Sequence, residues 1–393
     1  MPVRKKLLKK NRSRLAILYF LGLLLAISSA LPAYIQSNFL GQFVGVQYIS
    51  LFFVIANFLS IIAILIFPSF IKSLTNYFLT KTVLAVYFAS LLGLTLATGP
   101  VVALVSLILL TITANLIWIN MDVLVESFSS NSTTGKTRTT YLTLINAGWI
   151  ISPFLSACLI SRGSYTLSFL IAAAVLIPFY GVFVYHSRKL KDKIKYQEEK
   201  LATTIKKMWL NKNLRGIFFV ALLLQLFYSS AVIYIPFHLF HDLGLSWDSL
   251  GIMFSIMLVP FVLIEFPAGL IADRYIGEKE MLFVGFTILT IALFLFYYLN
   301  TGNFWLWTSV LFFSRMGAAL VEAMRETYFF KIVDVEEVAY INVFRATTPL
   351  AYTLGPALAI LILAFFPLPY LFLFFAFIML SGFAFVASLK DTK

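Results

Sequence analysis

Arg315, Glu322 and Glu326 are spaced seven and four residues apart, which places all three on one face of a helix. They lie in an otherwise apolar stretch, where an ionisable group is costly and ordinarily faces a bundle interior or a wet cavity. Such a set can exchange partners, a guanidinium with carboxylates or a carboxyl with a proton. The pattern recurs earlier in the chain as Asn115, Asp122 and Glu126. Arg345 sits about two turns inside another apolar segment, and Glu265 in the last third of yet another. Arg315 and Glu322 are the candidates for ligand binding or coupling, with Glu322 first and Glu265 second to carry a proton. Tyr34, Gln36, Trp118 and Trp149 are expected to add an aromatic and amide lining. A plainer reading stands for Asp122, Glu126, Arg325 and Glu326, which are near segment ends and can reach water or headgroups by extending their side chains.

Other chemistry finds no support. His-Glu-x-x-His, Gly-x-Ser-x-Gly and phosphate-binding glycine loops do not occur, so an enzyme is not expected. Cys158 is the single cysteine, and His186, His238 and His241 are scattered near segment ends, so neither a metal site nor a cofactor is expected. The net charge of +13 comes from basic residues between apolar segments, with no patch interleaved with stacking aromatics, which argues against nucleic acid.

The elements that must position these residues are set by composition. Hydrophobic residues make up 61% of the 393 and charged residues 12%, with mean hydropathy +0.93. A hydrocarbon core about 30 Å thick needs roughly 20 apolar residues per helix. Twelve segments meet that need, at 15–36, 47–67, 82–97, 100–125, 140–161, 165–186, 215–237, 249–271, 281–299, 304–325, 339–364 and 367–389. The expected fold is an all-α integral membrane protein of twelve transmembrane helices. Its parts are a basic N-terminus (1–14), a six-helix bundle (15–186), a basic linker (187–214), a second six-helix bundle (215–389) and a short tail (390–393).

Basic residues fall in alternate loops: the N-terminus, Lys72 and Lys81, Lys136 and Arg138, the linker, and Arg274 with Lys279. By the positive-inside rule these share the cytoplasm, which puts both termini there and the protein in the inner (cell) membrane. Only Arg162 breaks the pattern on the far side. Asn131-Ser-Thr then falls in the cytoplasm, where glycosylation does not occur.

A shift of 200 residues lays Asp122, Glu126, Ser127 and Phe128 on Glu322, Glu326, Thr327 and Tyr328, and Asn115 on Arg315. Shifts of 203 and 199 lay Ser152-Pro153 on Gly355-Pro356 and Phe67-Pro68 on Phe266-Pro267. The halves read as a distant duplication, as expected of two bundles that rock around one cavity.

Between segments 8 and 9 the chain reads Gly269-Leu-Ile-Ala-Asp273-Arg274-Tyr-Ile-Gly277-Glu-Lys279, which resembles the loop signature G-x-L-x-D-R-x-G-x-K of the major facilitator superfamily. Segment 5 holds Gly148-Trp-Ile-Ile-Ser152-Pro153-Phe-Leu-Ser156-Ala157, similar to the G-x-x-x-G-P-x-x-G-G pattern of its drug:proton antiporters, and segment 11 repeats it through Gly355-Pro356. Small residues with a proline also serve simply to pack and bend helices. The first-half counterpart of the loop, Phe67 to Tyr77, lacks both the first Gly and the Asp, which puts a latch there in question.

The resemblance implies secondary transport of a small molecule by alternating access, in a protein working as a monomer, with proton coupling and export of a hydrophobic or amphipathic compound favoured. Nutrient uptake is the alternative, and a non-transporting receptor or scaffold the alternative of another class. In the family fold segments 4, 5, 10 and 11 meet on the cytoplasmic side. That implies ion pairs of Asp122, Glu126, Glu322 and Glu326 with Arg345, Arg325, Arg138 and Lys136, closing an inner gate.

Overall fold

The structure, a computed structural model, describes residues 2–44, 47–74, 76–128, 134–161, 165–186, 190, 201–272, 277–333 and 337–390. Among these residues, twelve helices are long and apolar enough to cross a membrane. They are α1 (Ser13–Gly41), α2 (Tyr48–Phe67), α3 (Tyr77–Thr95), α4 (Pro100–Ser127), α5 (Thr137–Ile160) and α6 (Tyr165–Tyr185) in the first half. The second half holds α7 (Lys212–Asp242), α8 (Trp247–Ile271), α9 (Glu278–Tyr298), α10 (Phe304–Ile332), α11 (Ala339–Leu363) and α12 (Pro369–Ser388). A short helix, Leu201–Leu210, precedes α7.

Local chemistry sets several starts. Pro100 follows Gly99 at the first turn of α4, where its missing N–H has no intrahelical partner to lose. Asn211 caps α7 by accepting from the Asn213 and Leu214 amides at 3.0 and 3.3 Å, and Asn303 caps α10 by accepting from Leu306 N at 3.1 Å. Gly277, at φ +93°, makes the turn into α9 that a side chain would strain.

The expected segments differ from these helices mainly at their ends. α1 runs to Gly41 across a turn at 34–35, α7 to Asp242 through a π-helical turn (His238–Asp242), and α10 to Ile332. The polar residues that made those ends look like loops are packed: His238 Nδ1 meets Asp242 Oδ2 at 2.6 Å, and Arg325 and Glu326 are buried. α11 is interrupted at Ala346, directly after Arg345.

The packing repeats. In the first half α1 lies against α5 and α6, α3 against α4 and α6, and α2 against α4; in the second α7 lies against α11 and α12, α9 against α10 and α12, and α8 against α10. Each pair recurs six helices on, so the duplication read from a few residues extends to the architecture. The halves join along α5 with α8 and α2 with α11. Apolar side chains such as Phe58, Ile151, Ile177, Leu263, Leu361 and Phe377 are exposed on the outer surface, as a lipid-facing wall requires.

Candidate functional site

Between the halves lies a cavity of about 330 Å³. The first half contributes Tyr34 from α1, Asn115 and Trp118 from α4, and Asn146 and Trp149 from α5. The second contributes Gln225 and Tyr228 from α7, Phe261 from α8, Arg315 and Glu322 from α10, and Thr348 and Tyr352 from α11. Asn115 and Arg315, superposed by the 200-residue repeat, thus share one cavity on opposite walls.

Arg315 is 1% exposed, its Nη1 has no hydrogen-bond partner, and among the described residues no carboxylate lies within ion-pair distance of it. Its guanidinium carbon stands 5.1 Å from the Phe227 ring centre and 6.0 Å from that of Tyr228. The Tyr228 hydroxyl donates to Glu322 Oε2 at 2.6 Å, while Arg325 Nη2 is 3.8 Å from Glu322 Oε1.

Toward the end that carries the termini, the cavity floor is ionic. Arg345 Nε is 2.6 Å from Asp122 Oδ2, and its Nη1 and Nη2 donate to Glu326 at 2.5 and 2.6 Å. Arg138 Nη1 donates to Asp122 Oδ1 at 2.8 Å, and its Nε to Glu126 Oε2 at 3.0 Å. Arg325 Nη2 is 3.6 Å from Glu326 Oε1, and the Arg138 guanidinium stacks 3.6 Å above the Phe330 ring. Four helices, α4 and α5 of one half and α10 and α11 of the other, therefore meet in one layer of charge. The Lys136 side chain, expected in this set, lies outside the described residues.

Glu265 does not line the cavity. It is fully buried on α8, and its Oε1 accepts from Asn146 Nδ2 of α5 at 2.8 Å, so the amide stands between carboxyl and cavity across the junction of the halves. Glu265 Oε2 has no hydrogen-bond partner. Beyond the cavity, the halves meet again where the Ser50 and Tyr234 hydroxyls are 3.0 Å apart and the Tyr34 ring stacks on Phe254 at 5.4 Å. Gln36, expected in the lining, is not part of it: it begins the short helix after the turn in α1.

The small-residue motifs pack helices. A Cβ on Gly148 would stand 3.0 Å from Ala26 Cβ and 3.2 Å from the Ile27 amide nitrogen, and one on Gly355 would be 2.4 Å from Ser229 Oγ. Ser152 Oγ bonds to the Gly148 carbonyl at 2.9 Å, and the Pro153 carbonyl faces Gly251 of α8. Pro356 lies buried beside Gly355 on α11. In the loop signature, Gly269 approaches Thr139 of α5, and Lys279 Nζ donates to the Ala387 and Leu389 carbonyls at 3.2 Å each, holding the end of α12. Asp273 and Arg274 lie outside the described residues, as do the 68–76 and 1–12 side chains, Asn131, Arg162, and linker residues 187–189 and 191–200.

Sequence reasoning passed over Asn146, Gln225, Tyr228 and Tyr352. Both amides were visible as polar residues inside apolar segments; the tyrosines carried no signal of their own, because their partners are remote in sequence.

Two pseudo-symmetric six-helix bundles enclosing a polar cavity, with an ionic floor on one side, define a multi-pass membrane protein of the transporter class. The sequence profile of the Major Facilitator Superfamily matches residues 104–247 and again 217–393, and the chain belongs to that family of transporters. Among solved structures it resembles the human organic anion transporter MFSD10 (TETRAN), with a TM-score of 0.76 over 96% of this chain and 99% of that one, at 14% identity. No curated protein sequence matches it.

Proposed function

We propose that this protein moves a small amphipathic molecule out of the cell by alternating access across the inner membrane, driven by protons entering the cytoplasm. The observation that supports the cycle best is Arg345, which ties Asp122 of one half to Glu326 of the other beneath the cavity. An ionic layer of this kind has two arrangements, paired or solvated, which a rocking motion can exchange. Asp122, Glu126, Arg138, Arg325, Glu326 and Arg345 form the cytoplasmic gate in this reading, and each copy of the chain holds a complete cavity, so a monomer suffices.

Glu265 is the proton carrier this reading favours, in place of Glu322, which the sequence ranked first. Glu322 already has Tyr228 and Arg325 beside it, whereas Glu265 has an amide and a free oxygen, so it can gain a proton without breaking an ion pair. Its position at the α5–α8 junction lets its protonation be felt by both halves. Export direction is supported by the apolar and aromatic cavity wall and by the Gly148 to Ala157 motif. The test is transport in proteoliposomes with an internal pH dye, under an imposed pH gradient. Substrate-dependent proton movement by wild type and its loss in Glu265→Gln are expected; undiminished coupling in Glu265→Gln would overturn the assignment.

A further inference from the structure

Three arginines line the cavity, Arg315, Arg325 and Arg345. Arg345 is bound to Asp122 and Glu326, and Arg325 stands beside Glu322 and Glu326. Arg315 alone of these has no carboxylate within reach, although it is 1% exposed and lies near the middle of α10. An unpaired charge in so poor a solvent is expensive, and removing a partner from a buried ion pair is correspondingly destabilising. The protein leaves Arg315 in that state with Nη1 unsatisfied on the wall of its central cavity. Among the described residues no carboxylate neutralises it, which leaves the place of an anionic partner to one that comes and goes.

Resting on the transport reading above, we infer that the transported compound is a small organic anion, its carboxylate or similar planar anionic group held by Arg315 and its apolar body lodged among the cavity's aromatic side chains. A guanidinium offers paired donors in a plane that match a carboxylate. Around it, the Tyr34 and Tyr352 side chains line the same cavity, and their hydroxyls can add donors to the same anion. The apolar part of the wall is Trp118, Trp149 and Phe261, with Val232, Leu258 and Ile145, and the amides of Asn115, Asn146 and Gln225 lie beside it. That apolar part strips water from whatever lies against it without replacing the hydrogen bonds, which favours an aromatic or branched apolar body there. At about 330 Å³ the space is at the small end for ligand cavities, which excludes long-chain lipids unless the halves separate.

The test uses the full-length purified protein in detergent and follows its thermal midpoint against matched triplets on phenyl, naphthyl and biphenyl bodies: the carboxylate, the carboxamide and the methylammonium. Sodium chloride and inorganic phosphate at equal ionic strength form the fourth arm. Specific ligands raise the midpoint in proportion to occupancy. Carboxylates of at least one body are expected to stabilise wild type, with amide and ammonium counterparts weaker by at least about tenfold, the loss of one charge-assisted bond. Arg315→Gln is expected to abolish that preference and Arg315→Lys to retain part of it. Equal stabilisation by amides or ammonium compounds, by chloride or phosphate, or an undiminished carboxylate response in Arg315→Gln overturns the inference, as does a carboxylate set that leaves wild type unmoved. Should Arg315→Gln fold poorly, the wild-type ranking within each triplet decides alone. Failure of the transport reading has a different signature: carboxylates that bind through Arg315 but never cross proteoliposomes leave the anion site standing, whereas ammonium compounds that cross while no carboxylate binds leave transport standing without it.

Discussion

Arg345 Nε and Asp122 Oδ2 lie 2.6 Å apart on opposite halves of the molecule. Because the same guanidinium also holds Glu326, one side chain ties α4, α10 and α11 together. Breaking a desolvated pair by removing one partner costs roughly 3–5 kcal/mol, enough to reverse a two-state equilibrium that favours the closed floor. In a Cys158→Ser background carrying Asn115→Cys, Arg345→Ala is expected to increase labelling by a membrane-impermeant maleimide from the side bearing the termini. Labelling that stays at the background level would count against a gate.

Glu265 and Asn146 meet at 2.8 Å where α5 crosses α8. Glu265→Gln fixes the neutral form, so pH-gradient-driven flux should vanish while substrate counterflow continues and no longer varies with pH. The paired assays in one vesicle preparation check this. Loss of counterflow together with driven flux would assign Glu265 a structural part instead.

Tyr228→Phe removes the hydroxyl that donates to Glu322 at 2.6 Å. A hydrogen bond to a charged group contributes about 1.5–3 kcal/mol to the folded state, so the thermal midpoint should fall, and transport should slow because Glu322 lines the cavity. Unchanged transport rates would show that Glu322 does not depend on this partner.

Gly355→Ala places a methyl group 2.4 Å from Ser229 Oγ, an overpacking expected to cost about 1–3 kcal/mol and lower the thermal midpoint. Ser229→Ala in the same chain removes the clashing oxygen and should recover most of the loss. At Gly148 no such rescue is available, because the backbone nitrogen of Ile27 lies 3.2 Å from the added carbon.

The sequence carried the number of crossings and the duplication because both rest on short-range signals, the apolar length a bilayer demands and the repeated spacing of Asn115, Asp122 and Glu126 with Arg315, Glu322 and Glu326. It also carried the cavity positions of Tyr34, Trp118 and Trp149, since a bulky polar-edged ring in an apolar segment has few other places to go. What it did not carry was pairing. Arg138 meets Asp122 and Glu126 of its own half, while Arg345 crosses to Asp122 from the other. Such choices depend on how α4, α5, α10 and α11 converge in space. Glu265 showed the same limit from the other side: its charge was visible, but the amide that covers it is 119 residues away. Gln36 was misplaced because the chain turns at 34–35, where the Ile35 amide donates to the Pro32 carbonyl at 3.1 Å; Pro32 was the signal for that bend.

The two halves are expected to rock about the cavity, so that one side opens as the other closes. Electron-spin distances between labels at Ser127 and Lys331, at the gate ends of α4 and α10, and at Tyr48 and Asp242, at the far ends of α2 and α7, test it in one protein. With Arg345→Ala the first distance should lengthen and the second shorten. Two distances that stay fixed, or that lengthen together, would contradict it.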